Sequence, residues 1–95
     1  MHGTSKLRQR FSQLVEQLQA DIYMAQDRAD SLRQQLQDHE DDADLALRDA
    51  GAWEARRDEL QGDLAWWEAR VCVLKDELAV ACDELRGLQE VDDGF

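Results

Sequence analysis

The sequence contains no proline, only two cysteines and few aromatic residues, which make up 6% of the chain. Proline breaks or kinks helices, so its absence permits long uninterrupted helices. The scarcity of aromatic side chains argues against a compact mixed core. No apolar run is long enough for a signal peptide or a membrane span. The expectation is therefore one soluble cytoplasmic domain in 95 residues.

The two cysteines are too far apart to form an internal disulfide. Cys72 and Cys82 are ten residues apart, which is roughly 15 Å along one helix. A disulfide needs Cα atoms within about 7 Å of each other. Reduced thiols in a reducing compartment are therefore predicted.

Alanine, leucine, glutamate, aspartate, glutamine and arginine dominate the chain, and this composition favours helix. Two apolar stripes recur at alternating steps of three and four residues, the spacing of amphipathic helices. The first stripe comprises Leu7, Phe11, Leu14, Leu18, Ile22, Ala25, Ala29, Leu32 and Leu36. The second comprises Trp53, Arg57, Leu60, Leu64, Trp67, Val71, Leu74, Leu78, Ala81, Leu85 and Leu88. Residues 38–52 between them carry no large apolar side chain at a stripe position.

This pattern predicts an all-α fold, a long antiparallel two-helix coiled-coil hairpin. Helix one is predicted over about residues 5–49 with an N-cap at Thr4 or Ser5, the turn over 49–52, helix two over 53–91, and a frayed tail over 92–95. Gly51 suits the C-terminal cap of helix one. Because the heptad phase continues across Gly51, one continuous helix in a long dimeric coiled coil is the alternative. The acids near Asp41 and Asp42 disfavour a helix C-terminus and could instead mark a kink or a fresh start.

Two adjacent tryptophans indicate a second apolar surface on helix two. A helix turns about 100° per residue, so Trp66 and Trp67 cannot both face the hairpin partner. Trp67 lies on the main stripe, whereas Trp66 begins a second apolar line, about 120° away, that continues through Val73, Val80 and Val91. The predicted self-association or partner face comprises Trp66, Val73, Val80, Trp67, Val71, Leu74 and Leu78.

One narrow helix cannot cover both apolar lines of helix two. A homodimer that forms a four-helix bundle is the simplest solution. A foreign protein could occupy the face instead, because tryptophan is common among energetic anchors. Alternatively, Trp66 lies along the surface against neighbouring side chains.

The formal net charge of −11 is concentrated in the second part of the chain. Residues 1–37 carry a net +1, whereas residues 38–95 carry a net −12. The negative electrostatic potential of this charge disfavours nucleic acid and anionic membranes as direct partners, and it suits a basic protein. The acids predicted to bind such a partner are Asp38, Glu40, Asp41, Asp42, Asp44, Asp49, Glu54, Asp58, Glu59 and Asp63.

No catalytic, cofactor-binding or metal site is predicted. The acidic run from Asp38 to Asp49 resembles a calcium loop only loosely, since it has Ala43 at the glycine position and Asp49 at the glutamate position. No catalytic triad or phosphate loop is present. The leading hypothesis is a non-enzymatic homodimeric coiled-coil adaptor or structural subunit.

The alternative is an acidic inhibitor or nucleic-acid mimic, encoded for example by a phage or mobile element, that blocks a basic nucleic-acid-binding host protein. A hairpin roughly 60 Å long would carry about one net charge per 5 Å, against one per about 1.7 Å in duplex DNA. Two hairpins side by side would halve the spacing. Mimicry is therefore plausible only for a dimer.

Overall fold

The computed structural model describes the backbone of residues 2–93 and the surroundings of side chains 5–88. It contains three helices, α1 over His2–Glu40, α2 over Ala43–Arg48 and α3 over Ala50–Asp93. Within residues 2–93, every residue except Asp41, Asp42 and Asp49 is helical. The predicted all-α class is confirmed. Val91, the last member of the second apolar line, and residues 94–95 of the predicted tail lie outside the described side chains and residues.

Helix one ends earlier than predicted. α1 stops at Glu40 rather than near residue 49, and the chain then forms the six-residue α2. The carboxylate of Asp42 accepts a hydrogen bond from the N–H of Leu45 at 3.1 Å and caps the N-terminus of α2. Acidic side chains stabilise helix N-termini and destabilise C-termini. The break therefore occurs at Asp41 and Asp42, the position at which the acidic run of the sequence allows a fresh helix start.

The predicted turn over residues 49–52 is wrong for most of its length, because α3 already begins at Ala50. The N–H of Asp49 donates to the carbonyl of Leu45 at 2.9 Å, and its carboxylate accepts from the N–H of Ala52 at 3.1 Å. Asp49 thus ends α2 and caps the start of α3. Gly51 lies in the first turn of α3, with no positive φ, and is not a C-cap.

The outer helix boundaries also extend beyond the prediction. α1 includes Thr4 and Ser5, which were expected as caps, and α3 continues through Asp93 into the predicted frayed tail. The breaks at Asp41, Asp42 and Asp49 exclude a single continuous helix within this chain. No described helix combines the length and apolar character needed to cross a bilayer.

The chain divides into two packing units, which we call the loop unit (residues 24–71) and the terminal unit (residues 1–23 and 72–95). The loop unit contains the second part of α1, all of α2 and the first part of α3. The buried hydrophobic side chains described in this unit are Ala25, Ala29, Leu32 and Leu60. All four belong to the predicted stripes.

In the terminal unit, the first part of α1 and the second part of α3 supply the core. The buried hydrophobic side chains described here are Leu18, Ile22, Leu74 and Ala81. They also belong to the predicted stripes. Burial of stripe residues from both helices indicates that each unit packs around the line that the heptad pattern marks.

Candidate functional site

Trp66 and Trp67 point in different directions on α3, as adjacent helical residues must. Trp67 is half-buried, whereas Trp66 is 57% exposed. The two indoles meet edge to face with ring centroids 4.8 Å apart, an arrangement that aromatic pairs prefer. Trp67 therefore supports one edge of Trp66 and leaves more than half of its side chain open to solvent in the isolated chain.

The valines of the second apolar line lie in the terminal unit and are also open. Val73 is 47% and Val80 is 61% exposed. By contrast, Leu74 is buried, and Trp67, Val71 and Leu78 are half-buried. The predicted face thus divides into two groups. Trp67, Val71, Leu74 and Leu78 are at least half-buried, whereas Trp66, Val73 and Val80 are open to solvent.

Val80 borders an apolar groove of about 400 Å³ in the terminal unit. Leu14 also lines this groove, whose walls come from α1 and α3. The groove is lined by Phe11, Leu14, Leu18, Asp76, Glu77, Val80 and Ala81. Its apolar lining would fit an aliphatic side chain from another polypeptide.

Two leucines on α1 extend the open apolar surface of the terminal unit. Leu7 is 45% and Leu14 is 44% exposed, although the stripe pattern assigns both to the hairpin interior. Leu14 and Leu32 are 18 residues apart, which is about five helical turns, so both occupy the same angular position on α1. Because Leu32 is only 1% exposed, the helical period alone carries no signal for the exposure of Leu14.

All of the predicted acidic binding residues are exposed and lie in the loop unit. Two of them have a structural role, because the carboxylates of Asp42 and Asp49 cap α2 and α3. Others bond within their own helix, as when Asp38 accepts from the amide of Gln34 at 2.9 Å. The remaining carboxylates form a solvated acidic surface.

A reciprocal contact between His39 and Trp53 was missed by sequence reasoning. Nε1–H of Trp53 donates to the carbonyl of His39 at 2.9 Å, and Nε2 of His39 donates to the carbonyl of Trp53 at 2.8 Å. The rings stack at 5.2 Å, and the Arg57 guanidinium lies 5.1 Å from the Trp53 ring centroid. His39 follows the last stripe residue of α1 and Trp53 begins the stripe of α3, so the pattern places both near the helix contact, but their pairing depends on where the chain reverses.

Neither the thiols nor the acids assemble a chemical site among the described side chains. Cys72 and Cys82 are both free, and Cys72 is exposed. Across residues 5–88, no three histidine, cysteine or acidic side chains converge to hold a metal ion. The candidate sites are therefore surfaces, one apolar and one acidic.

The chain matches no protein-family model, and no curated protein or solved structure matches it significantly.

Proposed function

We propose that this protein is a non-enzymatic interaction module, a homodimeric adaptor or structural subunit. Its chain would form an antiparallel helical hairpin, and two hairpins would form a four-helix bundle. The observation that carries this proposal is the apolar groove of the terminal unit with half-exposed Leu14 and Val80 in its lining. Leu7 and Val73, further along the same two helices, are also half-exposed. Contiguous open apolar surface of this kind is typical of interaction sites.

Contacts between α1 and α3 in the loop unit support the hairpin. Nη2 of Arg33 lies 3.2 Å from Oε1 of Glu68, and His39 contacts Trp53. Moving forward along α1 from Arg33 to His39 therefore means moving backward along α3 from Glu68 to Trp53. This opposite order is what an antiparallel helix pair requires.

The exposed apolar side chains of the terminal unit set the expected strength of the dimer. Each copy offers four half-exposed side chains in the terminal unit, namely Leu7, Leu14, Val73 and Val80. Removing the exposed half of one such side chain from water is worth about 1 kcal/mol. Eight of them are comparable with the cost of associating two chains, about 4–15 kcal/mol. We therefore expect a weak monomer–dimer equilibrium, with a dissociation constant nearer millimolar than micromolar, rather than an obligate dimer.

Light scattering across protein concentration tests self-association. The wild type should approach twice the chain mass of 10.9 kDa at high concentration. Val80→Asp should remain at the monomer mass, because it introduces a charge into the apolar face. Leu47→Asp is the matched control, because Leu47 is 86% exposed in the loop unit.

Trp66→Ala in the same experiment tests whether the open indole contributes to the interface. A lower dimer affinity would include Trp66 in the face, whereas an unchanged affinity would restrict the face to the terminal unit. A wild-type mass of 10.9 kDa at every concentration would contradict the proposed homodimer.

A second candidate function is an acidic inhibitor that mimics nucleic acid and blocks a basic nucleic-acid-binding protein. The observation that favours it is the exposed acidic surface of the loop unit. The test uses a panel of basic nucleic-acid-binding proteins loaded with fluorescent duplex DNA. A mimic should displace the DNA, with an affinity that falls steeply as salt rises.

The control for mimicry neutralises acids without disturbing the helix caps. The triple variant Asp58→Asn, Glu59→Gln and Asp63→Asn leaves Asp42 and Asp49 in place as the caps of α2 and α3. Displacement that weakens in this variant would support mimicry. A lack of displacement at low salt across the panel would count against it.

We further propose that the protein works in a reducing compartment such as the cytoplasm. Cys72 is a free thiol with an exposed side chain, and free thiols persist where glutathione and thioredoxin keep them reduced.

A further inference from the structure

The terminal unit carries two exposed strips of matching length, one on each helix. The α1 strip consists of Leu7, Arg10, Leu14 and Gln17, at spacings of three, four and three residues. The α3 strip consists of Val73, Glu77, Val80 and Glu84, at spacings of four, three and four residues. These spacings put the members of each strip on one helix face. All eight side chains are exposed.

Both strips border the same groove. Leu14 from the α1 strip and Glu77 and Val80 from the α3 strip line its walls. Leu14 and Val80 therefore lie at about the same height along the two helices. This shared height fixes the register in which a second hairpin could add to the groove.

The charged members of the two strips have opposite sign, while Gln17 is neutral. Arg10 lies between the two leucines of the α1 strip, and Lys6 precedes it by one helical turn. Glu77 and Glu84 alternate with the valines of the α3 strip. Packing like strips together would bring like charges together, whereas packing unlike strips would pair opposite charges.

We propose that a second copy of this chain docks with its α1 strip along the α3 strip of the first, about a two-fold axis parallel to the helices. This inference rests on the proposed self-association and specifies its geometry. Leu14 packs against the partner's Val80, Arg10 lies opposite the partner's Glu84, and Gln17 lies opposite the partner's Glu77. The two-fold axis repeats each contact, and all neighbouring helices run antiparallel.

Gly87 fits the same register. It follows Val80 by seven residues and continues the line of Val73 and Val80. A Cβ added at Gly87 would meet nothing within 4 Å inside the chain. The proposed register brings the partner's Leu7 to this glycine, where the missing side chain permits close approach.

Disulfide trapping tests the register. In a Cys72→Ser/Cys82→Ser background, Leu14→Cys and Val80→Cys are made on separate chains of different tag mass, mixed and oxidised. The proposal predicts that the mixed disulfide dominates, because only unlike positions come within disulfide range.

The outcomes separate this geometry from self-association itself. Disulfides that form mainly between two Leu14→Cys chains or two Val80→Cys chains would overturn the strip pairing while leaving the homodimer intact. A dimeric wild type with no trapped product in any mixture would also overturn it. A monomeric wild type would remove the proposed homodimer and this geometry with it.

Charge reversal provides a second measurement that needs no oxidation. Arg10→Glu and Glu84→Lys should each raise the dimer dissociation constant by about fivefold or more, since each pair occurs twice. The variant that carries both changes should return to within about twofold of the wild type. Losses that add in the double variant, or single variants with unchanged affinity, would contradict the proposed pairing.

The two mid-helix glycines offer a matched pair of variants. Gly62→Ala and Gly87→Ala both add a methyl group into open space within the chain. In the proposed dimer only Gly87→Ala meets the partner's Leu7, so it alone should weaken dimerisation. Equal dimer affinities for the two variants would overturn the contact at Gly87.

Discussion

The loop unit and the terminal unit use the same heptad pattern but cover their apolar residues to different extents. Leu32 and Leu60 in the loop unit are only 1% and 2% exposed, and the open side chains around them are mostly charged. The terminal unit buries Leu18 and Leu74 but leaves Leu14 and Val80 open beside a groove. Within one chain, the loop unit closes its core yet leaves Trp66 and Leu47 open, whereas the terminal unit leaves open aliphatic side chains beside a groove.

The stripe residues of α1 differ in size between the two units. Ala25 and Ala29 occupy stripe positions in the loop unit and are both buried. Small residues let helices approach closely, because the interaxial distance depends on the side chains at the contact. The terminal unit has Phe11 and Leu14 at its stripe positions, and these larger side chains border the groove.

The largest expected difference between the units is in the free energy of unfolding that is lost when a leucine of α1 is truncated in each. Leu32→Ala should lower the free energy of unfolding by about 2–5 kcal/mol, because it leaves a cavity in a closed core. Leu14→Ala should cost the dilute monomer much less, since its side chain is already half-exposed. Urea unfolding followed by circular dichroism measures both, with exposed Leu47→Ala as the control. Equal losses for Leu32→Ala and Leu14→Ala would remove the distinction between the units.

Removing the contact between His39 and Trp53 should cause the next largest loss of stability. His39→Ala and Trp53→Phe each remove one of the two reciprocal hydrogen bonds, and each should destabilise the protein by about 1–2 kcal/mol. Because the pair shares one contact, the double variant should lose less than the sum. Thermal unfolding measures these losses, and Trp66→Phe serves as the aromatic control. Strict additivity would show that the two residues act independently.

Removing the carboxylate caps of α2 and α3 should cause the next largest loss of stability. Asp42→Ala and Asp49→Ala should each cost about 0.5–2 kcal/mol, because each leaves a helix N-terminal N–H without its carboxylate acceptor. Asp63→Ala, at an exposed position inside α3, is the matched control and should have little effect. Chemical denaturation measures all three. A loss at Asp63 equal to that at the caps would attribute the effect to net charge.

The smallest expected change is stabilising. Gly62 lies inside α3 with open space around the position of an added Cβ. Gly62→Ala should therefore raise the free energy of unfolding by up to about 1 kcal/mol, because alanine has the higher helix propensity. Urea unfolding measures the gain. A loss of stability would mean that another chain approaches α3 at this glycine.

Much of the core follows from the sequence alone. All of the buried hydrophobic residues described in both units lie on the two predicted stripes, from Leu18 to Ala81. Periodicity identifies them because burial on a helix repeats every three or four residues. The same pattern could not indicate that Leu7 and Leu14 stay open, since that depends on how closely the two helices approach.

The helix ends were harder to predict because competing local signals acted within a few residues. Gly51 suggested a C-cap, but the carboxylates of Asp42 and Asp49 instead start α2 and α3. The contact between His39 and Trp53 depends on where the chain reverses, so it could not be assigned before those ends were known. Long-range pairing of polar groups is not encoded in helical periodicity.

The most direct test of the central claim is oxidative footprinting of side chains as protein concentration rises. Leu14 and Leu47 are exposed leucines, one in each unit. Their labelling therefore compares the accessibility of the same type of side chain in the two units. Labelling of Leu14 should fall as dimers form, while labelling of Leu47 stays constant. Labelling of Leu14 that does not change up to millimolar concentrations would contradict the claim that a second chain covers the terminal unit.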